Sequence, residues 1–346
     1  MNLFDRTSLK TIHLNVRESK SSIEDIIINP ESSCFFAKDN LEIEKIAKAV
    51  IYARENDKPV ILTYGAHLIK NGLGLVLSKM VEEGIVTHLA TNGAGSIHDW
   101  EFAFQGKTEE DVRKAISIGQ FGLGEETGKY LNLAIISGAE RGLGYGESIS
   151  EIIHNEKLIL SGLKNEKLEK LGIKKENISL PHLYKKYSVQ NASFGKIPYT
   201  VHPCFGQDII YTHPLSDGAS IGKSAEIDFL KFVDSVSRLE DGGVYLSIGS
   251  AIMSPMIFEK SLSMARNIAI QQGRKIENFM IAVNDIQEGK WDWNKGEPPK
   301  DNPAYYLRFC KTFNRMGARA LHYIQEDNRN FLLSLYQSIK KIKNYS

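Results

Sequence analysis

The segment TNGAGSIHD, residues 91–99, sets an imidazole and a carboxylate side by side after a glycine-rich turn. Imidazole is the side chain that titrates nearest neutrality, so His98 is a candidate general base, with Asp99 to orient it or ionise with it. Gly93 and Gly95 let the backbone turn tightly and approach a ligand closely. A helix beginning near Ile97 would aim free N–H groups at a phosphate. The same residues suit a plain turn and helix start, with Asp99 in the first turn where a carboxylate is favoured. The spacing is not GxGxxG, so the ordinary dinucleotide fingerprint is absent.

A second segment, residues 202–229, carries His202, Cys204, Asp208, His213 and Asp217. These are metal-ligand residue types, but they form no HxxxH or CxxC pair of the kind zinc sites show. His213 is a second candidate base. The turn SDGASIGKS lacks GxxxxGK[ST] spacing, which excludes an ordinary nucleoside triphosphatase loop. A third segment, VNDIQEGKWDWNKGEPPKDNPAYYLRFCKTFNRMG, reads as a long loop before a helix. There Trp291, Trp293, Tyr305 and Tyr306, with Arg308 and Lys311, are suited to wall a pocket or to pack a subunit contact. His88 and His322 fall within or near strands and read as sheet histidines, while His13, His154 and His182 lack a supporting context.

These segments need elements to hold them. LEIEKIAKAVIYARENDKP places Ile43, Ile46, Ala47, Val50, Ile51 and Ala53 on one face at helical spacing. Pro59 then introduces VILTYG, and the pattern alternates: helix IKNGLGLVLSKMVEEG, strand IVTHLATNG, strand GGVYLSIGS, helix SPMIFEKSLSMARNIAIQQG, strand NFMIAVND, strand RALHYIQED, helix NRNFLLSLYQSIKKIK. Continuous apolar strands separated by helices imply a parallel sheet covered on both faces. Ligands of such sheets bind beyond the carboxyl ends of the strands, which here read TYGAH, ATNGAG, SIGSA, VNDIQE and YIQEDN. Residues 1–40 read as an irregular arm. Residues 41–346 read as one domain with a charged, helical insertion near 145–200.

Composition narrows the classes. The chain has 346 residues, 42% apolar and 25% charged, with a formal charge of +1. That balance gives no reason to expect a nucleic-acid or anionic-membrane partner. Three scattered cysteines, Cys34, Cys204 and Cys310, cannot build a disulfide framework. With neither a signal peptide nor a long apolar run, the expected location is the cytoplasm.

Taken in order, the segments from about residue 58 onward resemble those of the deoxyhypusine synthase family. VILTYGAHLIKNGL resembles its Ser-Asn-Leu-Ile-Ser-Ser-Gly stretch, and LATNGAGSIHD its Thr-Thr-Ala-Gly-Gly-Val-Glu-Glu-Asp stretch. HPLSDGASIGKS is similar to Thr-Asp-Gly-Ser-Leu-Gly-Asp, and VNDIQE to Asn-Thr-Ala-Gln-Glu. The resemblance implies an α/β, doubly wound, mostly parallel, Rossmann-like sheet of the deoxyhypusine synthase-like type. It also implies NAD as cofactor and a homotetramer with sites between subunits. Carried over, Ala66, His67, Asn92, Gly93, Ala94, His98, Asp217, Asp285, Ile286 and Asp327 would line the dinucleotide site. The family's imine-forming lysine falls where Leu307, Arg308 and Phe309 stand, and an arginine stays protonated. Lys311 lies one helical turn away. The family's amine-binding aspartate falls at Lys223, and its catalytic histidine has no counterpart in SIGSAIMSP.

The sequence therefore points to an NAD-dependent enzyme acting on a small substrate other than spermidine. His98 or His213 would be the base, with Lys223 and Arg308 binding a negatively charged substrate group. Three alternatives stand beside it: a metal-assisted hydrolase or lyase using His67, His98, Asp99, His202 and His213; a polyamine aminobutyl transferase using Lys311; and a non-catalytic binding protein.

Overall fold

The computed structural model describes residues 3–32 and 41–345. Cys34 and the end of the arm, 33–40, lie outside the described residues. The central sheet has six strands: β1 (Val60–Tyr64), β2 (His88–Thr91), β3 (Tyr199–Val201), β4 (Val244–Ile248), β5 (Met280–Asp285) and β6 (Ala320–Gln325). All pair in parallel, in the spatial order 3-2-1-4-5-6. That order winds outward twice from the centre, as in dinucleotide-binding α/β folds, and its direction reverses between β1 and β4.

The strands are apolar throughout because both faces are covered. Val60, Leu62 and Tyr64 of β1 enter one core with Val244, Leu246 and Ile248 of β4. Ile61 and Tyr245 enter the other. This is the period-two alternation of a strand. On the first face α1 (Leu41–Glu55) buries the six residues its spacing singled out. It packs against α9 (Asn328–Tyr345). Also on that side are α2 (Gly74–Glu82), α3 (Gly93–Gln105), α4 (Glu125–Glu140) and α5 (Tyr145–Asn155). The second face carries α6 (Gly218–Val236), α7 (Met253–Gln271) and α8 (Arg308–Asn314).

Two differences from the sequence reading bear on the site. The sixth strand, β3, is a three-residue edge strand inside KIPYTVHP, too short to show alternation, and it pairs with β2. The helix expected near Ile97 begins at Gly93, because Asn92 caps it by accepting the Gly95 N–H at 2.8 Å. Residues 3–32 run beside α3 and α4. Ile12 bonds Leu123 and Glu125 through the backbone, and Ser21–Ser22 pairs antiparallel with Lys107–Thr108. Among the described residues no helix is long and apolar enough to cross a membrane.

Candidate functional site

The strand order locates the crevice. Beyond the last β1–β4 pair, Tyr64 with Ile248, the Gly65 N–H donates to Ile248 O at 3.1 Å. A Cβ on Gly65 would stand 2.2 Å from Gly249 O, so only glycine fits. Gly249 itself has φ +55. On the β1 side Ala66 is half-buried and His67 exposed, opening a short helical turn, His67–Lys70. On the β4 side Ser250 Oγ accepts the Ser254 N–H at 3.2 Å in the first turn of α7.

Three carboxamides lie beside this crevice. Asn284, at the end of β5, is 1% exposed and donates from Nδ2 to Ile324 O at 3.2 Å and Glu326 O at 2.8 Å. Its Oδ1 is buried with no partner. Asn71 Nδ2 donates to Asn328 Oδ1 at 2.8 Å, linking the β1 turn to the start of α9. Asp285 accepts the Gln287 N–H at 3.0 Å, and Ile286 is exposed. Asp327 accepts from Arg329 N at 2.8 Å and Nε at 3.0 Å; against the upward push of partial burial, these bonds hold it below the ordinary carboxylate range. Asn71, Ser250, Asn284 and Asn328 were not singled out from sequence. For Asn284 and Ser250 the usable signal was an Asn or Ser at the end of an apolar strand or just past it.

The segment from Asn92 to Thr108 differs. Gly93 begins α3 with the Asp208 carboxylate against it: a Cβ there would lie 2.7 Å from Asp208 Cγ. Asp208 Oδ2 also accepts the Cys204 N–H at 2.7 Å, and burial pushes the carboxyl up. The Asp208 carboxylate thus stands against the first residue of α3. His98 Nδ1 meets Thr108 Oγ1 at 2.8 Å, and burial pushes the imidazole down to about 4. Asp99 is buried and accepts from Ser188 Oγ at 2.6 Å, Val189 N at 3.0 Å, Gln190 N at 3.2 Å and Gln190 Nε2 at 3.0 Å. Although neighbours on α3, His98 and Asp99 serve different segments. Glu101 forms a bidentate pair with Arg17 at 2.8 Å on each oxygen and accepts from Thr108 and Thr127 at 2.5 and 2.6 Å.

The remaining candidates are dispersed. His213 lies buried against Gly128 of α4, its Nδ1 accepting the Leu215 N–H at 3.2 Å. His202 meets Thr200 Oγ1 at 3.0 Å, and the same hydroxyl meets His88 Nε2 at 2.9 Å. Asp217 caps α6, accepting the Ser220 N–H at 3.0 Å. Lys223 is exposed on α6 and Arg308 exposed at the start of α8, with α7 packed against both helices. Among the described residues no group of three or more His, Cys, Asp or Glu side chains is arranged to hold a metal ion.

A groove of about 410 Å³ opens along α8, lined by Tyr305, Tyr306, Arg308, Lys311, Thr312 and Arg315. Leu307, just before the helix, packs on Gly289, where a Cβ would lie 2.1 Å from Leu307 Cδ1. This ties the start of α8 to the chain leaving β5.

No protein-family model and no curated protein matches the sequence. Among solved structures, the chain is similar to apo ArgZ, an arginine dihydrolase from the ornithine–ammonia cycle in cyanobacteria. The identity is 16% and the TM-score 0.43, covering 88% of this chain and 33% of that one. It is similar to AgrE crystallised with ornithine and NAD+, at 15% identity and TM-score 0.45, covering 91% and 34%. A conserved LOR/SDH-type protein from Methanococcus maripaludis S2 gives 15% identity and TM-score 0.46, covering 91% and 75%. The chain thus spans about a third of the length of ArgZ and AgrE. At these scores the likeness carries no argument about activity, and the fold is read from the strand order itself.

Proposed function

We propose that the crevice above β1 and β4 binds a nicotinamide dinucleotide and that the chain is an NAD-dependent enzyme acting on a small substrate. The observation that carries this reading is the 3-2-1-4-5-6 strand order, whose reversal point lies between Gly65 and Gly249. The backbones of the two strand ends meet closely at that point, and beside it the unpartnered Asn284 Oδ1 offers an acceptor for an amide N–H. When bound, an oxidised nicotinamide supplies a hydride acceptor for an alcohol or amine carbon. Ala66, His67, Asp285, Ile286 and Asp327, at the ends of β1, β5 and β6, would hold the cofactor.

In this reading the base is His67, the exposed imidazole at the crevice, in place of His98 or His213. His98 and Asp99 become positioning residues for α3, whose Asn92, Gly93 and Ala94 border the same edge of the sheet. In this reading the cofactor's phosphates lie over the 65–67 turn. The deoxyhypusine synthase resemblance belongs to this proposal, with a homotetramer and a cytoplasmic location; light scattering on purified protein tests the oligomer.

Titration of NADH by its fluorescence tests the cofactor. We expect saturable binding, weakened at least tenfold by Ala66→Asp or His67→Glu, each placing a carboxylate against the phosphates. Absence of binding to the folded wild-type protein, or binding that neither variant changes, overturns the reading.

A further inference from the structure

We infer that the groove along α8 is a subsite for the phosphate group of a phosphorylated small molecule. Arg308, Lys311, Thr312 and Arg315 recur at helical i, i+3, i+4 and i+7 spacing and share one face, while Phe309, Cys310 and Phe313 are buried on the other. Three cations therefore face one groove. Among the described residues Glu297 meets two of them, lying 2.8 Å from Arg315 Nε, 2.7 Å from another Arg315 nitrogen and 3.8 Å from Lys311 Nζ. The balance is two positive charges, matching the charge of about −1.5 to −2 that a phosphate monoester carries near neutrality.

Lys311 is held in place rather than merely solvated. Lys311 Nζ lies 3.4 Å from the centroid of the Tyr305 ring, and its side chain is only 14% exposed. A free surface lysine keeps its ammonium in water. Tyr305 meets Tyr306 edge to face at 5.5 Å, on a turn capped by Asn302, whose Oδ1 accepts the Ala304 N–H at 2.9 Å. Tyr306 is 72% exposed and presents a ring beside the cations, ready to cover the organic part of a ligand.

Size and charge select a small ligand over a polyanion. The groove, about 410 Å³, is of the scale of small-molecule pockets. The chain's formal charge of +1 supplies no broad field for a nucleic-acid backbone. A lone carboxylate would neutralise only one of the two uncompensated charges. Because α8 is tied through Leu307 to the chain leaving β5, the groove borders the same end of the sheet as the crevice. That the bound molecule is the enzyme's substrate rests on the proposed function; anion binding at α8 does not.

Calorimetric titration with phenyl phosphate, inorganic phosphate and benzoate, run on the full chain, tests the inference. Phenyl phosphate should bind most tightly, and benzoate at least tenfold more weakly. Arg308→Gln and Lys311→Gln should each weaken phenyl phosphate at least tenfold with unchanged circular dichroism, and Glu297→Gln should tighten it. Parallel NADH titration separates the two readings: these variants should leave NADH affinity within twofold, whereas Ala66→Asp should leave phenyl phosphate untouched. The inference is overturned by no saturable phenyl phosphate binding at millimolar concentration, by binding that neither cation variant weakens, or by tighter binding of a short DNA duplex.

Discussion

The faces of α3 and α8 carry titratable side chains of opposite sign and use them in opposite ways. On α3, His98, Asp99 and Glu101 are each consumed by the fold: by Thr108, by the turn at 188–190, and by Arg17 with two threonines. On α8, Arg308 stands exposed, and Lys311 and Arg315 share a single carboxylate. A carboxylate that already accepts several hydrogen bonds has little left to offer a reaction, whereas an exposed cation face can still take a ligand. Residue type identified both regions, but hydrogen-bond accounting tells which is sealed.

The sharpest way to break that contrast is to remove Arg17. Its side chain is 7% exposed and that of Glu101 2%. Although burial alone would raise it, Arg17 and the two threonines hold Glu101 below the ordinary carboxylate range. Arg17→Met would leave that charge facing only Thr108 and Thr127, and should destabilise the fold by about 3–5 kcal/mol in urea titration. Adding Glu101→Leu should recover most of the loss. A single-variant loss below about 1 kcal/mol would mean that the pair is not sealed.

Next in size is a pH effect from Asp228, buried behind α5 and β3. Its Oδ2 accepts the Gly146 and Val201 N–H groups, each at 2.8 Å, while Oδ1 has no partner. Burial, opposed by those two bonds, pushes it up from 3.8 to about 7. The folded state therefore holds a proton that the unfolded chain releases at lower pH. Stability from this group is complete below about pH 4 and lost as pH rises through 7, a change of roughly 4 kcal/mol. Asp228→Asn should remove that trend. The variant's stability relative to wild type should rise across pH 4–7, read by denaturation at each pH, and a flat difference would refute the assignment.

Asp99→Ala comes third. It strips the acceptor from Ser188 Oγ, Val189 N and both Gln190 donors, and should cost about 2–3 kcal/mol. If activity is established and the variant lowers only stability while the turnover of folded protein is kept, Asp99 is a positioning residue; a loss of turnover in folded protein makes it part of the reaction.

Much of the scaffold was legible in the sequence. The α1 face follows from Ile43, Ile46, Ala47, Val50, Ile51 and Ala53, and five of the six strands are apolar runs ended by small or polar residues. β3 was not legible, since Tyr199–Val201 owes its place to pairing with β2 and to the packing of α5 and α6 on it. The strand ends that border the crevice were legible, but the contacts across it were not. Gly65 needs Gly249 across the sheet, and Asn71 needs Asn328, 257 positions away. No local spacing reports such pairs. The fate of Asp99 was hidden likewise, because its partners lie some ninety residues downstream.

The smallest expected effect is the most discriminating. If α8 is an open face, its cations do little for the fold. Arg308→Gln should change stability by no more than about 0.5 kcal/mol, as for a surface substitution away from structural features. Lys311→Gln gives up its contact with the Tyr305 ring, 3.4 Å from Nζ to centroid, and should cost about 0.5–1 kcal/mol. Measured beside Arg17→Met by the same urea titration, these values set the two faces apart: a large loss at α3 and almost none at α8. A loss at Arg308 comparable with that at Arg17 would place α8 among the sealed structural clusters, and the groove would then be part of the fold rather than a place for a ligand.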